Sequence, residues 1–236
     1  MSLSFGVTVL PDPPASRLVE LMKLGEDNGF EIGWTYDSHV LWQESFVQLT
    51  MAIQGTSRMK FGHLVTNPGT REPTVLASLY ATMHDISGGR MVMGIGRGDS
   101  ARRYIGQQPV KVAEFERRLT MIKAFMNGEE VHWNDKDLQL KWVRPELPPI
   151  PMWVAGYGPK ALGVAGRIGD GVIIQLADPE IIQWTWVPRA RRPRRQGATP
   201  RPSSASSAPR ATSARSRTGA SRRAGSQRWS RTTSRT

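Results

Sequence analysis

Apolar residues follow two alternating patterns along the first 186 positions: short continuous runs, and stretches where they recur every three or four residues. The runs have the length and composition of buried strands, and the spaced stretches have the period of one helix face. Phe5–Leu10 reads as a first strand, ended by Pro11, Pro13 and Pro14. Arg17–Asn28 follows as a helix through Leu18, Leu21, Met22 and Gly25, with Gly29 at its stop. Ile32–Tyr36 is a second strand, Ser45–Gln54 a helix through Phe46, Leu49, Met51 and Ile53, and Met59–Thr66 a third strand. Pro73 suits a first helical turn, Val75, Leu76, Leu79, Met83 and Ile86 line one face, and Gly88-Gly89 closes that helix. Met91–Ile95 is the fourth strand.

Val112–Met126 reads as a longer helix with Phe115, Leu119, Ile122 and Phe125 or Met126 inward, and Val131–Val143 as a hairpin turning at Asn134–Asp137. Met152–Ala155, Lys160–Ile168 and Gly171–Leu176 resume the alternation as strand, helix and strand, and Pro179–Trp186 begins another helix. Six strand–helix steps in order argue for parallel strands joined by right-handed crossovers, hence an α/β fold. A doubly wound sheet and an eight-fold barrel both fit; the barrel is two repeats short.

Composition changes this picture at one place. From Pro188 to Thr236 the chain has no Lys, Asp, Glu, Leu, Ile, Val, Phe or Met. That segment holds 14 arginines, so the net charge of +12 is +14 from it and −2 from the rest. Without aliphatic side chains it cannot offset about 1–2 kcal/mol of backbone entropy per ordered residue. The expected organisation is therefore a folded domain over 1–187 and a disordered Arg/Ser/Ala/Pro-rich tail over 188–236. Two readings of the tail compete: an arm that contacts phosphates in a salt-sensitive way, or a G+C-rich reading frame out of register.

The chain has no cysteine, which removes disulfides and thiolate metal sites. His39, His63, His84 and His132 do not fall at metal-ligand spacings, so no metal is expected. There is neither an apolar stretch of about 18 residues nor an export signal at Met1–Leu10, so the expected location is cytoplasmic, away from membranes.

Polar and glycine-rich residues collect just after strand ends, the face where such folds bind ligands. The second strand leads into Tyr36-Asp37-Ser38-His39, the third into Thr66–Pro73, the fourth into Gly94-Ile95-Gly96-Arg97-Gly98-Asp99-Ser100, and the fifth into Gly156-Tyr157-Gly158-Pro159-Lys160. Gly94–Gly98 is either an anion cradle or a tight turn. Gly156–Lys160 opens a helix, whose free N–H groups favour phosphate. Asp37 and His39 alternate along an extended segment and share a face, and imidazole suits proton delivery. His63, inside an apolar strand, reads as a hydrogen-bonded core residue, and His84 and His132 as structural.

The order Asp37-Ser38-His39, Thr66-Asn67-Pro68, Ser87-Gly88-Gly89-Arg90-Met91, Gly94–Ser100 and Gly156–Leu162 resembles the luciferase-like monooxygenase superfamily. It is most similar to the coenzyme F420-dependent branch that includes methylenetetrahydromethanopterin reductases, over about residues 3–186. The resemblance implies a TIM (β/α)8-type barrel, here incomplete with about six of eight strands. It implies F420, or alternatively FMN, at the carboxyl ends of the strands. It places the cofactor phosphate on Gly156, Tyr157, Gly158, Pro159 and Lys160, and the ring against a bulge at Leu64–Thr66, often with a non-prolyl cis peptide. Ring contacts fall on Asp37, His39, Thr66 and Asn67, with Gln175 another lining position. Gly96, Arg97 and Gly98, with Asp99, are expected at the cofactor tail or substrate. His39 is the expected proton donor or ring-orienting group, tuned by Asp37.

The expected function is thus hydride transfer between reduced deazaflavin and a small organic substrate. An FMN-dependent monooxygenase is the near alternative. A nucleic-acid-binding protein acting through the tail and a non-functional fragment are the others. The resemblance also allows a homodimer in the full-length ancestor. Open sheet edges predict poor solubility or loss of activity for the chain as written.

Overall fold

The computed structural model describes residues 3–186. In chain order its elements are β1 (Gly6–Thr8), α1 (Ala15–Asp27), β2 (Ile32–Thr35), α2 (Ser45–Gln54), β3 (Lys60–His63), α3 (Pro73–Ile86), β4 (Met93–Ile95) and α4 (Asp99–Tyr104). There follow α5 (Val112–Met126), β5 (Val131–Trp133), β6 (Lys136–Leu138), β7 (Met152–Ala155), α6 (Pro159–Ile168), β8 (Gly171–Ile173) and α7 (Pro179–Trp186). The 1–187/188–236 boundary and the tail lie outside the described residues.

Two parallel three-stranded sheets, β1-β2-β3 and β4-β7-β8, carry the fold. Isolated bridges Phe61↔Met91 and Thr66↔Ile95 join β3 to β4, so the six strands run as one parallel series. Of the two architectures open from periodicity, this matches the barrel type. Among the described residues β1 and β8 remain the two ends of the series, and no closed barrel forms. The β5–β6 hairpin stands apart as the insertion; its turn puts Asn134 and Asp135 at φ 48° and 61°, a region that Asn and Asp tolerate best among residues with a side chain.

Most apolar burial lies between the strands and the helices. Phe61, Met93, Ile95, Met152 and Val154 pack outward against Leu49, Leu76, Phe115, Leu119 and Ile122. All four inward positions expected for α5 are buried, Phe125 and Met126 both included. On the inner side Ile32, Trp34 and Val92 form a smaller cluster with Leu64 and Trp153 against it. The Trp34 and Trp153 rings sit 5.5 Å apart and fill the space between the two half-sheets. Away from the strand carboxyl ends, buried Glu26 accepts the backbone N–H groups of Ser57, Arg58 and Met59 and fixes the entry to β3.

Candidate active site

The site is organised around the place where β3 leaves its ladder. Backbone bonds join Val92 N to Phe61 O at 2.8 Å and, further on, Thr66 N to Gly94 O at 2.9 Å and Gly96 N to Thr66 O at 2.8 Å. Between them the chain bulges, with a cis peptide at Leu64–Val65, so the expected Met59–Thr66 strand ends at His63. A Cβ on Gly94 would stand 2.2 Å from the His63 carbonyl oxygen, and one on Gly96 2.9 Å from Val65 Cγ2. Gly98 sits at φ +83° and packs against Asn67 and Arg102. Each glycine of this loop thus has a packing reason.

Asp37 is buried just past β2 and receives the Thr66 hydroxyl at 2.6 Å and Arg71 Nη1 at 2.7 Å, both on Oδ2. Arg71 also donates from Nη2 to both carboxylate oxygens of Glu44, at 2.9 and 2.8 Å. Burial alone would lower the Arg71 pKa, but Asp37 and Glu44 outweigh it and raise it. Asp37 Oδ1 makes no hydrogen bond among the described residues and is not sealed from solvent. The expected Asp37–His39 partnership is corrected here: the carboxylate is engaged by Arg71 and Thr66, while His39 is exposed with no hydrogen bond among the described residues. The short guanidinium–carboxylate contact is charge-assisted.

His63 is buried, as expected of a core residue, and faces the helices. Its Nε2 lies 3.0 Å from Ser45 Oγ and its Nδ1 2.7 Å from Tyr80 Oη. Burial lowers its pKa to about 4, Asp37 opposing and Arg71 adding. Burial also raises the Tyr80 hydroxyl. This chain of side chains ties α2 and α3 to β3 immediately before the bulge. His84 is structural in the same sense, with Nε2 2.8 Å from the Pro148 carbonyl and Nδ1 accepting from Met91 N at 3.3 Å. His132 pairs with Asp137 across the exposed hairpin at 2.8 Å.

Asn67 is buried, and its Oδ1 accepts Gly69 N and Thr70 N, each at 3.0 Å. Arg97 lies half-buried between Gly96 and Gly98, donating from Nε to Val110 O at 2.6 Å. Beyond it, Asp99–Tyr104 forms α4, an element absent from the periodicity reading. Asp99 is exposed and reaches Arg103 at 3.5 Å. At the carboxyl end of β7, Gly158 caps α6 with no side-chain cap, and the space where its Cβ would stand is open. Tyr157 Oη donates to Gln175 Oε1, linking the ends of β7 and β8; Lys160 is exposed.

Contacts therefore run from Asp37 through Thr66 to Gly96, whose Cβ position lies 3.6 Å from Ala155 Cβ beside Gly156, so these loops share one face. Two hollows lie elsewhere. An open apolar groove of about 610 Å³ runs between α2, α3, α5 and the hairpin, and one of about 240 Å³ lies around His84, Trp142 and Pro148. The pairing of Arg71 with Asp37 and with Glu44 carries no sequence signal because it spans separations of 34 and 27 residues. The available signal was Arg71, directly after the uncharged Thr66–Thr70 turn and two residues before α3.

The face and fold define a class. The chain belongs to the luciferase-like monooxygenase family, which matches residues 2–233. Within it the chain is similar to a 5,10-methylenetetrahydromethanopterin reductase of Methanopyrus kandleri, 32% identical over 201 residues, covering 75% of this chain and 57% of the relative. Its counterpart in Archaeoglobus fulgidus is 32% identical over 184 residues, covering 75% and 54%. An F420-dependent hydroxymycolic acid dehydrogenase of Mycobacterium tuberculosis is 31% identical over 179 residues, covering 69% and 49%. The solved coenzyme F420 dependent tetrahydromethanopterin reductase from Methanopyrus kandleri superposes with TM-score 0.67 and 28% identity, covering 78% of this chain and 59% of that one. The monooxygenase RslO1 from Streptomyces bottropensis shares the fold at TM-score 0.62 and 21% identity. The chain spans about half the length of these curated relatives, from 49% to 57%. Among the described residues no helix is long and apolar enough to cross a membrane.

Proposed function

We propose that the chain is an F420-dependent oxidoreductase that transfers a hydride between the reduced deazaflavin and a small organic substrate. The observation that carries this reading is the joined carboxyl-end face around the β3 bulge, in a chain with a similar relative and a similar solved structure that bear F420 in their names. The groups left without a protein partner fit such a cofactor: Asp37 Oδ1 as an acceptor, Asn67 Nδ2 as a donor, the Nη groups of Arg97, and the uncapped start of α6. When bound, the deazaflavin supplies the hydride chemistry. Leu64 and Val65 give the ring an apolar wall, and Gly96, Arg97 and Gly98 border the cofactor tail or substrate. Gly156, Tyr157, Gly158, Pro159 and Lys160 hold the phosphate through helix N–H groups and one ammonium. Thr66 fixes Asp37, Gln175 lines the far side, and exposed His39 moves the proton that accompanies hydride transfer.

Titration of the purified chain with F420 and, separately, with FMN tests this. The expected result is saturable, stoichiometric binding of F420, followed by cofactor absorbance and tryptophan fluorescence. Saturable binding of FMN alone would replace the reading with that of a flavin monooxygenase, and binding of neither would remove it.

A further inference from the structure

The chain holds two Asn-Gly pairs, Asn28-Gly29 and Asn127-Gly128, and the fold puts each at the end of a helix. Asn28 caps α1 at φ −95°, ψ 12°, and Asn127 caps α5 at φ −98°, ψ 11°. Each is followed by a left-handed glycine, at φ 84° and 81°. In both pairs the asparagine Nδ2 donates to the carbonyl four residues back, Leu24 O at 2.8 Å and Lys123 O at 2.7 Å. In both the glycine N donates into the helix end at 3.1 Å, to Glu26 O and to Phe125 O. Local sequence and backbone are matched.

The surroundings are not. Asn127 is half-buried, and its Oδ1 accepts Ile150 N at 2.9 Å, tying α5 to the entry of β7. Gly128 O accepts Gln139 Nε2 at 2.9 Å, and a Cβ on Gly128 would stand 3.1 Å from Val143 Cβ. Asn28 is exposed, its Oδ1 has no hydrogen bond among the described residues, and the Cβ position of Gly29 faces open space.

A main-chain nitrogen reaches a preceding asparagine side chain most readily when it belongs to glycine, which puts no Cβ in the way. Attack requires the glycine to leave the cap and turn its nitrogen onto Asn Cγ. The frequency of such a local opening is set by the contacts that must break. At Gly29 these are helix-end bonds alone. At Gly128 the Ile150 and Gln139 bonds and the Val143 side chain must yield as well.

We propose that Asn28 is a site of spontaneous covalent modification, at which the main chain of Gly29 deamidates the side chain. The Gly29 N–Asn28 Cγ bond forms as the Cγ–Nδ2 bond breaks, and the glycine amide proton leaves with that nitrogen as ammonia. Water then opens the cyclic imide to aspartate or isoaspartate, so water is the sole co-reactant. Either product adds a negative charge at the C-terminal end of α1, beside exposed Asp27 and Glu31, where the helix dipole disfavours an anion. Isoaspartate also lengthens the main chain by a carbon inside the turn that places Phe30 N on Gly25 O and Glu31 N on Phe5 O. The modification therefore loosens the step from α1 into β2, at the opposite end of the strands from the cofactor face, and is independent of the oxidoreductase reading.

The test incubates the full chain in mildly alkaline buffer at physiological temperature, once folded and once in guanidinium chloride. Mass spectrometry follows the peptides that carry residues 28 and 127 with time. In the folded chain Asn28 should convert at least about tenfold faster than Asn127, and in the unfolded chain the two rates should agree within about threefold. Equal rates in the folded chain, a faster Asn127, or an Asn28 that stays intact while the unfolded chain converts would each overturn the proposal. Asn28→Gln, whose longer side chain closes a less favourable ring, checks the consequence. Its thermal midpoint should hold on ageing while that of wild type falls, and an equal fall in both would overturn the assigned loosening.

Discussion

Arg71 Nη1 stands 2.7 Å from Asp37 Oδ2, bringing together a side chain just before α3 and one just past β2. The two are 16% and 2% exposed, so this is an ion pair largely withdrawn from water. Removing one member of such a pair leaves an uncompensated buried charge, at a typical cost of about 3–5 kcal/mol. Arg71→Met is expected near the lower end, about 3 kcal/mol, because the cation is partly solvated. Asp37→Asn combined with Arg71→Met should recover part of the loss, since no ion is then stranded. Urea unfolding of the two variants checks this, and a single variant as stable as wild type would show that the Thr66 hydroxyl and solvent suffice for the Asp37 carboxylate.

His63 makes stability depend on pH in a predictable direction. Its ordinary value of 6.5 falls to about 4 in the fold, first because burial disfavours the charged imidazolium. Between those values the unfolded chain binds the proton and the folded chain does not. Stability is therefore full above about pH 6.5 and is lost as pH falls toward 4, by about 3 kcal/mol in all. Urea midpoints between about pH 7.5 and about pH 4.5 should fall steeply for wild type. His63→Gln keeps a hydrogen-bonding side chain without the titration, and its midpoint should depend less on pH. Equal slopes would show that other groups dominate acid unfolding.

Two helices with a long periodic signal, Ser45–Gln54 and Val112–Met126, stand where spacing places them, and so does the apolar run Met152–Ala155. The misses have physical causes. Met59–Thr66 reads as one apolar strand, but the ladder stops at His63 and the chain bulges, where the β3 and β4 backbones approach too closely for a Cβ at Gly62 or Gly94. Asp99–Tyr104 gives no helical signal because six residues are too short to show a period, although Asp99 early and Arg102-Arg103 late suit a helix. In the site, residues clustered at strand ends were legible, since parallel α/β order sends them to one face. Their partners were not: Asp37 with Arg71, and His63 with Ser45 and Tyr80, meet only through the packing of α2 and α3 on β3.

His39 should separate binding from turnover. It is exposed and carries no hydrogen bond among the described residues, so its loss removes no structural contact. A proton-transfer group contributes typically about 10²–10⁴-fold in rate. His39→Ala is expected to lower kcat by about 10²-fold or more, with the F420 Kd within about twofold of wild type. Steady-state rates and a fluorescence titration on one preparation measure both. An unchanged kcat would discard the proton role, and a matching loss of Kd would make His39 a binding group instead.

Two glycines on the same face should respond oppositely to one added methyl group. At Gly94 the new Cβ would stand 2.2 Å from the His63 carbonyl oxygen, a backbone atom that cannot swing aside. Gly94→Ala must push β3 and β4 apart where the bulge begins, at a cost of about 3 kcal/mol or more. At Gly158 the same methyl meets open space, and φ −94°, ψ 158° is backbone that alanine adopts freely. Gly158→Ala is expected to stay within about 1 kcal/mol of wild type. Its methyl would nevertheless stand at the uncapped N-terminus of α6, where the phosphate of the proposed cofactor is held. F420 affinity should therefore fall by about tenfold while the thermal midpoint barely moves. Calorimetric unfolding and F420 titration of both variants give the comparison. An affinity unchanged in Gly158→Ala would take the phosphate away from this helix start.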